Sequence, residues 1–219
     1  METEELIGRL AAGAGRPVRR LAPPSARLLF WLAVSLPWIA VVVTVMGVRP
    51  DLTARFEDPR WIVEQGAALV TAVAAALAAF CAGVPGRPRW ERVVPIVPVV
   101  VWIGAVGFGC LQDWIRPGPG GVMFESDWAC LPGIVFVGAA PGIAMAVMLH
   151  KGAPLAPFVS VGLGGLAAAA LADFGLRLFH AQDAGLMVLV WQVGSVALLT
   201  VLSAAIGRHL VRWRHLPLH

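Results

Sequence analysis

The chain has 219 residues, 58% of them hydrophobic and only 14% charged, with a mean hydropathy of +0.78, whereas a soluble domain carries about 25% charged residues. That balance argues against a water-soluble enzyme, and the apolar residues fall in blocks of about 20 separated by short charged links, the pattern of a chain that crosses a bilayer. Lys and Arg number 17 against 13 Asp and Glu. In such a chain a pI near 9.8 reflects basic residues gathered on loops at one membrane face, with no nucleic-acid partner implied.

The first segment, 1–27, holds five Arg, three Glu and no apolar core suited to a cleavable signal, so the first span is expected to be retained as an anchor. Thr3 can cap a short helix with Glu4 and Glu5 in its first turn. Leu6, Ile7 and Leu10 then share one face, and Gly13 and Gly15 end the helix. About ten residues make a marginal helix in water. Tethered by Arg16-Pro17-Val18-Arg19-Arg20-Leu21 and Pro23-Pro24, such a piece suits docking into a groove on a cytoplasmic partner. The competing reading lays it on anionic lipid, with Arg16, Arg19, Arg20 and Arg27 as topology anchors.

Six spans follow, at about 28–47, 61–84, 93–111, 128–149, 158–179 and 185–207, each near the roughly 20 residues that cross the hydrocarbon. The expected architecture is all-α: a polytopic bundle of six transmembrane helices over 28–207, preceded by the segment 1–27 and followed by a short basic tail, 208–219. Segments on one side of the spans carry 12 Lys and Arg, those on the other only five, which puts both termini in the cytoplasm.

On the second span small residues recur at Ala67, Thr71, Ala75, Ala79 and Gly83, and on the fifth at Ser160, Gly164, Ala168 and Ala172. Such stripes let neighbours approach closely, so these two helices are expected to be central. The nine Trp residues lie mostly near span ends, as an interfacial belt predicts. Cys81 reads as packing. Glu64 in the second span and Asp173 in the fifth are ionisable groups at membrane depth, each a candidate functional site. The plainer readings are a carboxylate near a helix N-terminus for Glu64 and a local ion pair with Arg177, four residues on, for Asp173. His180 falls on the same face as Asp173. Cys110 and Cys130 flank the loop 112–127 and should lie near the outer surface, where a disulfide, a soft metal held with His180 and a carboxylate, or inert thiols are all open.

No P-loop, HExxH, GxSxG or GxGxxG motif occurs, so neither an enzyme nor a cofactor is expected. A small transporter or channel for an ion or metal stays as the alternative, on Glu64, Asp173 and the proline-containing spans with Pro95, Pro98 and Pro141.

The words Leu6-Ile-Gly-Arg-Leu10, Pro17-Val-Arg-Arg-Leu21, Trp61-Ile-Val-Glu64, Val84-Pro-Gly86, Asp127-Trp-Ala-Cys130, Lys151-Gly-Ala-Pro-Leu-Ala-Pro157, Gly164-Gly-Leu-Ala-Ala168, Val190-Trp191, Gly207 and Trp213 keep an order, relative to six spans, that resembles the NrsF-like (negative regulator of sigma F) family of bacterial membrane anti-sigma factors. The resemblance implies a multi-pass inner-membrane protein whose cytoplasmic N-terminal segment holds an extracytoplasmic-function sigma factor away from RNA polymerase and releases it under oxidative or heavy-metal stress. It makes Leu6, Ile7, Leu10, Pro17, Val18, Arg19, Arg20 and Leu21 the docking residues, and Cys130, Cys110, His180, Glu64 and Asp173 the sensor candidates. The family usually carries a second outer cysteine just after the position of His180, where this chain has Ala181. Three routes then remain: Cys110 partners Cys130, Cys130 works with His180, Glu64 or Asp173, or the stimulus differs.

Overall fold

The computed structural model describes residues 3–13, 21–115, 130–152, 156–180 and 188–210. In chain order these form α1 (Thr3–Gly13), α2 (Pro24–Met46), the single turn α3 (Leu52–Arg55), α4 (Pro59–Ala82), a 3-10 turn (Arg89–Arg92), α5 (Ile96–Ile115), α6 (Cys130–Lys151), α7 (Pro157–Leu176), and a π-helical turn (Val188–Val193) running into α8 (Gly194–Leu210). Six of the helices are long and apolar enough to cross a membrane, within a few residues of the spans expected from the sequence, and no strand occurs among the described residues. The chain is a multi-pass membrane protein.

Helix ends follow local chemistry. Proline occupies the first turn of α2, α4 and α7, where its missing N–H costs nothing. Asp58 caps α4 by accepting from the Arg60 N–H at 3.0 Å. At the other end of α2 the chain turns through Gly47 with φ +87°, a conformation that a Cβ would disfavour.

Successive spans run in opposite directions. At one end the start of α2 meets the end of α6, where the Arg27 guanidinium donates to the Met148 carbonyl at 2.7 Å. At the other, the Arg49 N–H donates to the Leu178 carbonyl at 3.1 Å, so the loop after α2 closes over the end of α7. Arg27 is itself buried, with its guanidinium 4.4 Å over the Phe80 ring of α4. It therefore staples three helices, a role beyond that of the topology anchor expected from charge alone.

The two small-residue helices are the centre of the bundle. Of the most apolar stretch of each span, 67% is buried for α4 and 61% for α7, against 22–28% for the other four. Both stripes are turned inward, with Thr71, Ala75, Ala79, Ser160 and Ala172 fully buried. α7 packs against α4, α6 and α8. The approach to its neighbours is close: a Cβ at Gly165 would come within 2.5 Å of the Ser203 Cβ, and one at Gly175 within 2.8 Å of Ile39 Cγ2. Without a hydrophobic drive between helices in lipid, such close contact supplies the attraction.

The tryptophans correct the belt expectation in part. Trp31 and Trp102 are buried in the core, as is Trp61 near the start of α4. Trp31 and Trp38 lie seven residues apart and so face the same way along α2, toward α6. Pro141 sits inside α6 without breaking it, although a proline there has no N–H to offer the carbonyl four residues back. That carbonyl belongs to Val137, and the Trp38 indole N–H donates to it at 3.0 Å. The Trp31 indole N–H donates to the carbonyl of Pro141 itself at 2.9 Å.

Replacing Trp38 with Phe should cost about 1–3 kcal/mol, because it strands a buried carbonyl. In a Pro141→Ala background the restored N–H answers Val137, so the cost of Trp38→Phe should shrink. A double-mutant cycle on thermal unfolding in detergent measures that coupling.

A buried ion network at one end of the bundle

The end at which α2 and α7 finish and α4 begins collects buried polar side chains. Glu64 lies in the second turn of α4 and is 3% exposed, so it is not the dipole-facing surface carboxylate expected from the sequence; Asp58 holds the capping position. One Glu64 oxygen accepts from Arg60 Nε at 3.0 Å, and the other pairs with Arg177 Nη2 at 2.8 Å. The Arg60 guanidinium in turn rests on Gly109 of α5, at a place where any Cβ would collide with it. Gln65 adds a second tie between the central helices by donating to the Phe174 carbonyl at 3.2 Å.

This geometry overturns the local pair expected between Asp173 and Arg177. Arg177 reaches across to α4, with its side chain and that of Glu64 only 3% and 4% exposed, while both carboxylate oxygens of Asp173 are buried without a hydrogen-bond partner among the described residues. Spacing along one helix was a poor guide, because the α4–α7 seam puts a second carboxylate within reach.

A second group closes this end over α7. Arg49 grips Asp51 with two bonds, Nε to Oδ1 at 2.7 Å and Nη2 to Oδ2 at 2.9 Å, and Arg55 adds one at 3.0 Å. The hydrogen bond from Arg49 holds the Asp51 carboxyl well below the usual carboxylate range, as charge-assisted bonds to the ionised form do. Because the folded state favours the ionised form, this support is present at neutral pH and is lost only as pH falls below that range. Arg49 also points at the His180 carbonyl, 3.5 Å away.

The other sensor candidates are placed unevenly. Cys110 is a free, half-buried thiol on α5, next to the Gly109 that seats Arg60. His180 is half-buried just beyond α7. Cys130 opens α6, but its side chain lies outside the described residues, as do the loop 116–129 and Ala181. Among the described residues no three of His, Cys, Asp and Glu come together to hold a metal ion. On the docking segment, α1 forms over Thr3–Gly13 with Leu6, Ile7 and Leu21 exposed. The side chain of Leu10, and Pro17, Val18, Arg19 and Arg20 entirely, lie outside the described residues. Sequence reasoning missed Arg60, Arg177 as the partner of Glu64, and Gln65. The two small-residue stripes held the nearest signal, since they marked α4 and α7 as the central helices.

Arg177→Met should destabilise the bundle by about 3–5 kcal/mol, the usual consequence of removing one partner of a buried pair. The double change Glu64→Gln, Arg177→Met should recover much of that loss, because Arg60, 30% exposed along its side chain, can turn to water. Thermal unfolding of the two variants and the wild type in detergent checks the order.

Comparison with known proteins bears on this chain at the family level. No curated protein and no solved structure matches it. The family model NrsF, described as negative regulator of sigma F, matches residues 10–213, a stretch that takes in all six apolar helices. The chain belongs to this family of negative regulators of a sigma factor.

Proposed function

We propose that the protein is an anti-sigma factor of the bacterial inner membrane, with both termini in the cytoplasm, that holds an extracytoplasmic-function sigma factor through residues 1–27 and releases it on an oxidative or heavy-metal signal received at the outer face. The observation that carries the reading is α1. A soluble helix preceding the first span leaves Leu6 and Ile7 41% and 59% exposed, an apolar face with more to gain from a protein groove than from water. The excess of basic residues on the segments flanking that end supports the cytoplasmic assignment. Four docking residues, Pro17 to Arg20, would extend the contact with two positive charges.

On this reading the six-helix body is the receiver. Cys130, Cys110 and His180 would meet the stimulus, and the ion network around Glu64 lies at the bundle end that these residues share with the end of α7. A change there would reach α1 through α2, whose far end the Arg49 loop binds to α7 and whose near end Arg27 fixes to α4 and α6.

Deletion of residues 1–21 should abolish co-purification of the sigma factor and derepress its target genes while the truncated protein still inserts. Capture and repression that survive the deletion would end the proposal. A milder pair, Leu6→Asp with Ile7→Asp, should weaken capture at least tenfold, read by pull-down from membranes. Cys130→Ser should lock the regulon in one signalling state, and an unchanged dose response to oxidant and metal would remove Cys130 from the mechanism.

A further inference from the structure

We propose that Asp173 is a proton-binding site whose occupancy decides which carboxylate Arg177 holds, and so whether an ionic bond joins the two central helices. Glu64 and Asp173 lie on facing helices at the same end of the bundle and are 3% and 1% exposed. Glu64 is compensated by two guanidinium groups, Arg60 at 3.0 Å and Arg177 at 2.8 Å. Asp173 accepts no hydrogen bond at either oxygen from the described residues. An ionised carboxylate in that position would bear the cost of desolvation with no hydrogen bond to offset it, and a bound proton removes the cost.

The charges around the site agree. Arg60 is 30% exposed along its side chain and keeps contact with water or head groups. Of the buried charges at this end, Arg49 is gripped by Asp51, and Glu64 and Arg177 cancel each other when Asp173 is neutral. Few other groups can set its state. From α4 come Glu64 and Arg60, from α7 Arg177, and from the loop after α2 Arg49, already gripped by Asp51. His180 lies just beyond α7, its backbone N–H bonded to the Leu176 carbonyl at 2.9 Å, and α5 brings Cys110 beside the seat of Arg60. The packed neighbours contribute nothing titratable over 28–46 of α2, 131–149 of α6 or 188–207 of the last span.

The same geometry supplies the second state. Asp173 is four residues before Arg177 on α7, with the Arg177 N–H bonded to the Asp173 carbonyl at 3.2 Å, so its side chain is within reach of the guanidinium by a change of rotamer. Loss of the proton to water creates a carboxylate that competes for Arg177. When Arg177 turns to Asp173, Glu64 keeps Arg60, no buried charge is left bare, and the bridge from α7 to α4 is gone. Proton bound, the helices are tied; proton released, they are not. The folded tied state binds one proton more than the unfolded chain, so its stability falls as pH rises through the site's titration.

The test uses the full chain in lipid nanodiscs, without a sigma factor, so its outcome is separate from that of the anti-sigma reading. Infrared difference spectra from about pH 5 to about pH 8 should show the C=O stretch of a protonated carboxyl that is lost as pH rises and is missing in Asp173→Asn. Glu64→Gln should abolish the band at every pH, because Arg177 is then freed to hold Asp173 as the anion. The thermal midpoint of the wild type should fall over the same interval and that of Asp173→Asn stay level. A wild type without such a band, a band that persists in Asp173→Asn, or one that survives Glu64→Gln overturns the proposal. Should Asp173→Asn fail to fold, carboxyl-¹³C aspartate in the wild type must shift the band, and an unshifted band overturns it equally.

Discussion

The seam between α4 and α7 is the contact on which the rest of the bundle depends. Inside a bilayer, lipid tails are as apolar as leucine, so helices associate through close packing and polar contacts between them. The Ala and Thr stripe of α4 and the Ser, Gly and Ala stripe of α7 meet these demands together: they bring the backbones near enough for dispersion to add up, and they bring Glu64 within 2.8 Å of Arg177. α6 and α8 lean on the other faces of α7, and α5 on α4. α2 is joined to the assembly chiefly through its two indoles and Arg27.

A second constraint runs through every joint, namely that no polar group can turn to water in the hydrocarbon. The carbonyl orphaned by Pro141 finds Trp38, and the carbonyl of Met148 near the end of α6 finds Arg27. In each case the donor comes from α2, a helix whose most apolar stretch is only 28% buried. Hydrogen bonds hold it where area does not. Asp173 stands out beside the other buried carboxylate, since both oxygens of Glu64 are paired and neither of its own has a partner among the described residues.

Division of labour between the two parts of the chain follows from these constraints. The body is stiffened at both ends, by Arg27 on one side and by the Arg49–Asp51 grip on the other, while α1 carries its apolar residues outward. A regulator of a sigma factor needs a surface that can be engaged and released, and on the proposed reading an eleven-residue helix that is marginal by itself in water would provide one. The family assignment and the exposed face of α1 thus point the same way, and the proposed proton site lies in the part of the body where α4 and α7 meet.

Much of this architecture was legible along the chain. Six apolar blocks of membrane-spanning length, and small residues every fourth position on two of them, specify the number of helices and which two are central, because both properties depend only on spacing along one helix. The amphipathic face of α1 was readable for the same reason. Partner choice was not. A local rule assigns Arg177 to Asp173, four residues away, and the belt rule assigns Trp31 to the interface, yet Arg177 pairs with Glu64 and Trp31 is fully buried against α6. The sequence by itself determined which residues lie on which face; only the tertiary structure decided which faces meet, because partners 110 residues apart, such as Trp31 and Pro141, become neighbours only when helices pack side by side.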